Sequence, residues 1–173
     1  MNKKTRIMLF IVAIVLVIGS CVFMFDISPI KLETGNREMP EADSRTDELL
    51  TNIVIEQKFI NTTENIKEVA VVFSRLYYLD EECNIYIDLL DGEKLLANLT
   101  IDANDIQSDH RTYLYPKKVL SRLVGKELTL RIYTESTAGT GLCIMTRDSV
   151  KNLSYYYGND LKNGTLCFSI TGE

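Results

Sequence analysis
The sequence holds no tryptophan and only one histidine, His110, among its 173 residues. Without tryptophan, any aromatic platform must be built from the nine tyrosines and six phenylalanines. With one imidazole, any Ser–His or Cys–His nucleophile pair must use His110. That residue lies in the polar run Ser108-Asp109-His110-Arg111, and neither G-x-S-x-G nor H-E-x-x-H occurs. It therefore reads as a solvent-exposed or strand-edge side chain rather than a catalytic base. Cysteine is scarce as well. Apart from Cys21, the chain has Cys83, Cys143 and Cys167, an odd set at irregular spacing with no C-x-x-C. That excludes a disulfide framework and a zinc site. The three read as small buried hydrophobes, with a Cys143–Cys167 pair left open.

Basic charge is in deficit. The net charge is −5, and the first 25 residues contribute three basic groups and no acid. The remaining 148 residues therefore hold 16 basic and 24 acidic groups, about −8. Such a balance repels nucleic acid and anionic lipid and favours solubility. No basic patch is apparent, so a nucleic-acid function is not expected.

Only one long hydrophobic run exists, residues 7–25, IMLFIVAIVLVIGSCVFMF, without charge or proline. At about 1.5 Å of rise per residue it just reaches across a hydrocarbon core of about 30 Å. Lys3, Lys4 and Arg6 precede it and Asp26 follows. This order puts residues 1–6 in the cytoplasm and the rest outside. The run is read first as an uncleaved signal anchor, with the bilayer as its partner. A second reading is a lipoprotein signal, because Val17-Ile18-Gly19-Ser20-Cys21 resembles a lipobox whose cysteine, Cys21, would carry lipid. Against it, Val22-Phe23-Met24-Phe25 continues the run. A cleaved signal peptide would end at an A-x-A-like site, which is absent.

Residues 26–52 hold Pro29, Gly35 and Pro40, then the polar run from Glu41 to Glu48. They read as a stalk, with a short helix around 41–50 as an option. Residues 53–173 change character to period-two alternations broken by turns. Ile53, Ile55, Gln57 and Phe59 form one face. Val69, Val71 and Phe73 form another, as do Cys83, Ile85, Ile87 and Leu89. Asp91-Gly92 marks a hairpin, and residues 94–101 return from it. Strands are further expected at 111–115, 128–133, 142–146, 153–157 (a short edge strand) and 166–170, with single helical turns at 103–107 and 117–124. Long helices alternating with strands are missing, which disfavours a parallel α/β fold. The expected fold is all-β, an antiparallel β-sandwich preceded by one transmembrane helix.

The order of these segments carries a resemblance. Ile55-Glu56-Gln57-Lys58-Phe59 is followed by residues 66–73 and by Cys83-Asn84-Ile85-Tyr86-Ile87-Asp88-Leu89. Then come Asp105-Ile106-Gln107-Ser108-Asp109, Tyr113-Leu114-Tyr115, Leu161-Lys162-Asn163-Gly164 and Leu166-Cys167-Phe168-Ser169-Ile170. The series resembles the jelly-roll, galactose-binding-like domains outside the membrane in bacterial envelope proteins, some of which accompany polysaccharide-assembly or membrane glycosyltransferase proteins. What the resemblance implies is a β-sandwich with a carbohydrate-related role, or a plain protein-contact module.

Candidate site residues are few. Tyrosine rings can stack on apolar sugar faces, and Tyr77, Tyr78, Tyr155 and Tyr157 are the candidate ligand contacts. Tyr113 and Tyr115 are assigned to the sandwich interior. Asp102, Asp105 and Asp109 cluster in one loop, so a structural Ca²⁺ is considered there. Ile106 and Gln107 break an EF-hand pattern. Asp80-Glu81-Glu82 forms a second acidic loop, and paired acids can hydrolyse glycosides, but solvated loop acids are the plainer reading. Sequons occur at Asn61, Asn98, Asn152 and Asn163. The expectation is a non-enzymatic, membrane-anchored binding module for cell-envelope polysaccharide. Its rivals are a structural or protein-interaction subunit that contacts an envelope membrane protein, and a lipoprotein held through Cys21.

Overall fold
A computed structural model describes residues 39–172. The apolar run at 7–25, with Cys21, lies outside these residues. Among the described residues no helix is long and apolar enough to cross a membrane.

The described chain is all-β. Its strands are β1 (Ser44–Arg45), β2 (Ile55–Ile60), β3 (Asn65–Arg75), β4 (Asn84–Asp91), β5 (Lys94–Asp102), β6 (Arg111–Leu114), β7 (Leu120–Ser121), β8 (Glu127–Thr134), β9 (Leu142–Arg147), β10 (Ser154–Tyr157), β11 (Asp160–Asn163), β12 (Thr165–Leu166) and β13 (Phe168–Gly172). One 3-10 turn, Ala103–Asp105, joins β5 to the loop before β6. All pairings are antiparallel. One sheet runs β11-β10-β2-β8-β4-β5. The other runs β1-β9-β3-β13, with β12 on β9 and both β6 and β7 on β3.

Alternation builds the interface between the sheets. Ile55, Gln57 and Phe59 of β2 are buried between the less buried Glu56 and Lys58. Leu128, Leu130, Ile132 and Thr134 of β8 face the same way. Register places Leu130 beside Gln57 and Leu89 beside Leu130, so the apolar sets of three strands form one surface. Val69, Val71 and Phe73 of β3 belong to the same buried cluster. Phe59 of one sheet meets Phe168 of the other edge-on at 5.2 Å between ring centres. The two sheets thus share one core, a sandwich closed by side chains of both.

The second sheet contains a corner. Phe73, Ser74 and Arg75 pair with Ile144, Cys143 and Leu142, and there β3 and β9 stop pairing with each other. The chain 165–172 fills the opening. β12 runs along β9 (Thr165 beside Arg147, Leu166 beside Thr146), and β13 leaves along β3 (Phe168 beside Val71). The turn falls at Cys167, whose N–H donates to Met145 O at 2.8 Å and whose carbonyl accepts from Val72 N–H at 3.0 Å. Gln57 reaches across from the other sheet. Its Nε2 donates to Thr165 Oγ1 at 2.7 Å, and its Oε1 accepts from Leu166 N–H at 2.7 Å.

Several expectations are corrected. The stalk does not extend to residue 52, nor is there a helix at 41–50. Instead Ser44–Arg45 adds a strand to β9, Thr46 and Leu49 donate to the Ile144 and Leu142 carbonyls, and Leu49 is fully buried. The segment around β10 is not an edge strand, since β10 lies between β11 and β2. Residues 117–124 form the short strand β7 and turns rather than a helical turn. The turn at 103–105 is helical, as the spacing predicts, and Cys83, Cys143 and Cys167 are free and buried, so no Cys143–Cys167 bridge exists.

The Gln57 bridge yields a direct expectation. Gln57→Leu leaves the Leu166 N–H without its partner, and such a loss costs about 1–3 kcal/mol. A urea midpoint equal to that of the parent protein would show that the corner holds without the bridge.

Candidate functional site
At one end of the sandwich Glu48 ties three segments together. Its Oε1 accepts from Tyr77 Oη at 2.5 Å, from Thr140 N–H at 3.2 Å and from Gly141 N–H at 2.9 Å. Its carbonyl accepts from Tyr157 Oη at 2.6 Å. Gly141 sits at φ +63, and a Cβ there would lie 2.4 Å from the Tyr77 carbonyl oxygen, so only glycine fits. The bond to Glu48 raises the Tyr77 phenol above its ordinary value. Tyr77 and Tyr157 therefore serve the architecture.

Of the four expected tyrosines, Tyr77 and Tyr157 meet at Glu48, and Tyr77 and Tyr78 are exposed. Tyr155 is 5% exposed and belongs to the core, which removes it from the ligand contacts. Tyr157 is partly buried and packed against that core. Tyr78 is exposed, with the Arg75 guanidinium 4.3 Å from its ring centre. Arg75 in turn donates through Nη2 to the carbonyls of Ala103 and Ile106, both at 2.5 Å.

The three aspartates do not converge. Asp102 caps the 3-10 turn by accepting from Asn104 N–H at 2.7 Å. Asp109, at φ 60, accepts from Ser108 Oγ at 2.9 Å. Asp105 is exposed in the turn. Among the described residues no group of three or more His, Cys, Asp or Glu side chains is placed to hold a metal ion. His110 is exposed, its Nδ1 2.8 Å from Ser108 O. The sequon residue Asn61 is fully buried, with its Nδ2 donating to Thr63 O at 2.8 Å, whereas Asn152 and Asn163 are exposed.

A cleft lies instead at the edge where β5 of one sheet approaches β6 of the other. Its volume is about 440 Å³, and it is an open groove rather than an enclosed cavity. Residues 98–101 line one side, and Tyr113, Leu114, Tyr115 and Lys117 line the other. Among the described residues both strands are edges: β5 pairs only with β4, and β6 only with β3. Leu99 and Leu114 are buried, while Tyr113 and Tyr115 are 48% and 66% exposed. The interior assignment of these two tyrosines is therefore reversed. Register explains it, since Leu114 sits beside the core residue Val69, and Tyr113 sits beside Ala70. Asn98 Nδ2 donates to Asp88 Oδ1 at 2.7 Å, which leaves its carbonyl oxygen for other donors. The lining thus offers ring faces, an amide, a hydroxyl at Thr100 and an ammonium at Lys117, with no carboxylate among these residues. Groups of these types can stack on and hydrogen-bond to a polar ligand. No family model matches the chain, and no curated protein matches it.

The thiols of Cys143 and Cys167 are not among the residues that line this cleft. Burial pushes Cys167 up to about 12 and raises Cys143. An ordinary thiol ionises near 9.0. Cys167 therefore contributes stability that is fully present below about pH 9 and is lost as pH rises through about 12. Urea midpoints should decline above pH 9, and more gently in Cys167→Ala. Identical slopes in the two proteins would remove the thiol as a source.

Proposed function
We propose that this chain is a membrane-anchored binding module that displays its sandwich on the outer side of a bilayer and holds cell-envelope polysaccharide there. On this reading the two sheets are a jelly roll of the galactose-binding-like kind, and residues 7–25 are the anchor. One observation carries the ligand assignment. The cleft between β5 and β6 combines an amide, a hydroxyl and an ammonium with two exposed tyrosines two positions apart. Sugars need this combination, since each unit presents an apolar face for a ring and hydroxyls for polar groups. Tethering supports the assignment, because an array of anchored modules raises effective concentration and makes weak single contacts sufficient.

Affinity electrophoresis of the full-length chain through gels containing envelope polysaccharides tests the ligand. Retarded migration is expected, with Tyr113→Ala/Tyr115→Ala weakening it about tenfold or more. Free migration through every polymer, with a protein partner recovered by crosslinking, would replace this reading with that of an assembly subunit. Mass spectrometry of the mature amino end tests the anchor. An intact run is expected, whereas a lipid-modified Cys21 at a new amino end would make the protein a lipoprotein.

A further inference from the structure
The edge beside the cleft is basic, against the charge of the rest of the molecule. Residues 111–126 contain Arg111, Lys117, Lys118, Arg122 and Lys126 and no acidic residue. From residue 26 on, the remainder holds eleven basic and 24 acidic groups. All five cations are exposed. Arg111 lies in β6, Lys117 and Lys118 in the connection to β7, and Arg122 just after β7; β6 and β7 both pair with β3, at Val69–Val72 and at Asn65–Ile66. The chain from Arg111 to Ser121 therefore follows one strand edge for about 20 Å. Lys126 forms an ion pair with Asp91 at the end of β4, at 2.6 Å. Among the described residues, the other four cations have no ion pair. Tyr113, Tyr115 and Lys117 belong both to this stretch and to the cleft.

We infer that the ligand of this edge is an anionic polysaccharide, its sugar rings meeting Tyr113 and Tyr115 and its carboxylates meeting the cations along β6 and β7. The inference rests on the polysaccharide-binding reading above and adds the charge class. Cations spread over about 20 Å exceed the Debye length of about 8 Å in physiological salt, so one small anion neutralises only one or two of them. A polymer with charges at intervals matches the whole stretch. Arginine can pair with a carboxylate in bidentate fashion, and lysine meets it as a point charge. A flat anionic bilayer fits less well. Its headgroups would approach as a plane, whereas a single extended chain can enter the groove between β5 and β6.

The test compares polygalacturonate with its methyl-esterified form, which keeps the sugar backbone and loses the charge, using the full-length chain in neutral detergent. The acid polymer should bind about tenfold more tightly or better, and raising salt to about 0.5 M should abolish the difference. Lys117→Gln/Lys118→Gln should lose this preference, whereas Lys58→Gln/Lys151→Gln, with the same change in net charge, should keep it. Circular dichroism confirms that both variants fold. Equal binding of both polymers, or equal losses in the two variants, overturns the anionic assignment while leaving polysaccharide binding in place. Binding to neither polymer overturns both. Capture by vesicles of anionic phospholipid, lost in the Lys117/Lys118 variant and without polymer binding, would make the edge a membrane-facing surface and also overturn it.

Discussion
The fold depends on how the chain fills the opening between β3 and β9. Once these strands part beyond Phe73 and Ile144, their inner edges expose backbone groups that cannot be left unpaired inside a protein. The segment 165–172 answers both edges with one corner. Cys167, fully buried, stands at its apex and bonds to both strands through its backbone. The corner also leaves the Leu166 N–H aimed away from β9, and a buried orphan donor costs more than an ordinary hydrogen bond gains. Gln57 removes that cost from the opposite sheet. A polar residue in the middle of the inner face of β2 thereby fixes where the two sheets sit against each other.

The same logic separates what the sequence reveals from what it hides. The long strands are legible because each carries a period-two signal: β2 and β8 alternate over six and eight residues, whereas β3 and β4 alternate over only part of their length before consecutive residues become buried. The short ones are not. β1 and β7 have two residues each, too few for any period, and they exist because neighbouring strands present free edges. Glu48 and Leu49 lie in a run that reads as a solvated linker. Glu48 is held by amides and a phenol nearly a hundred and about thirty positions away, contacts that no local pattern announces.

Tyr113 and Tyr115 illustrate a second kind of illegibility. In Arg111-Thr112-Tyr113-Leu114-Tyr115 the alternation is clear, but its phase is ambiguous, since tyrosine and leucine can each line a core. Register decides it, because Leu114 falls beside Val69 and so takes the inner face. The cationic stretch shows the converse. Its composition stands in the open sequence, sixteen residues with five cations and no acid, but the whole-chain charge conceals it. It becomes a surface feature only when β6 and β7 are placed end to end on one strand.

A lysine-bearing edge strand has a plainer use, as a block against edge-to-edge pairing of sheets. That use accounts for one or two charges at the edge itself. It does not account for Lys117, Lys118 and Arg122, which lie between and beyond the paired residues of β6 and β7, where no ladder is presented. It also gives no reason for the opposite lip of the cleft to be free of acids at residues 98–101. Blocking and binding are compatible at one edge. The charges that deter a second sheet attract an extended anionic chain, whose backbone makes no ladder bonds and can occupy the edge that a strand cannot.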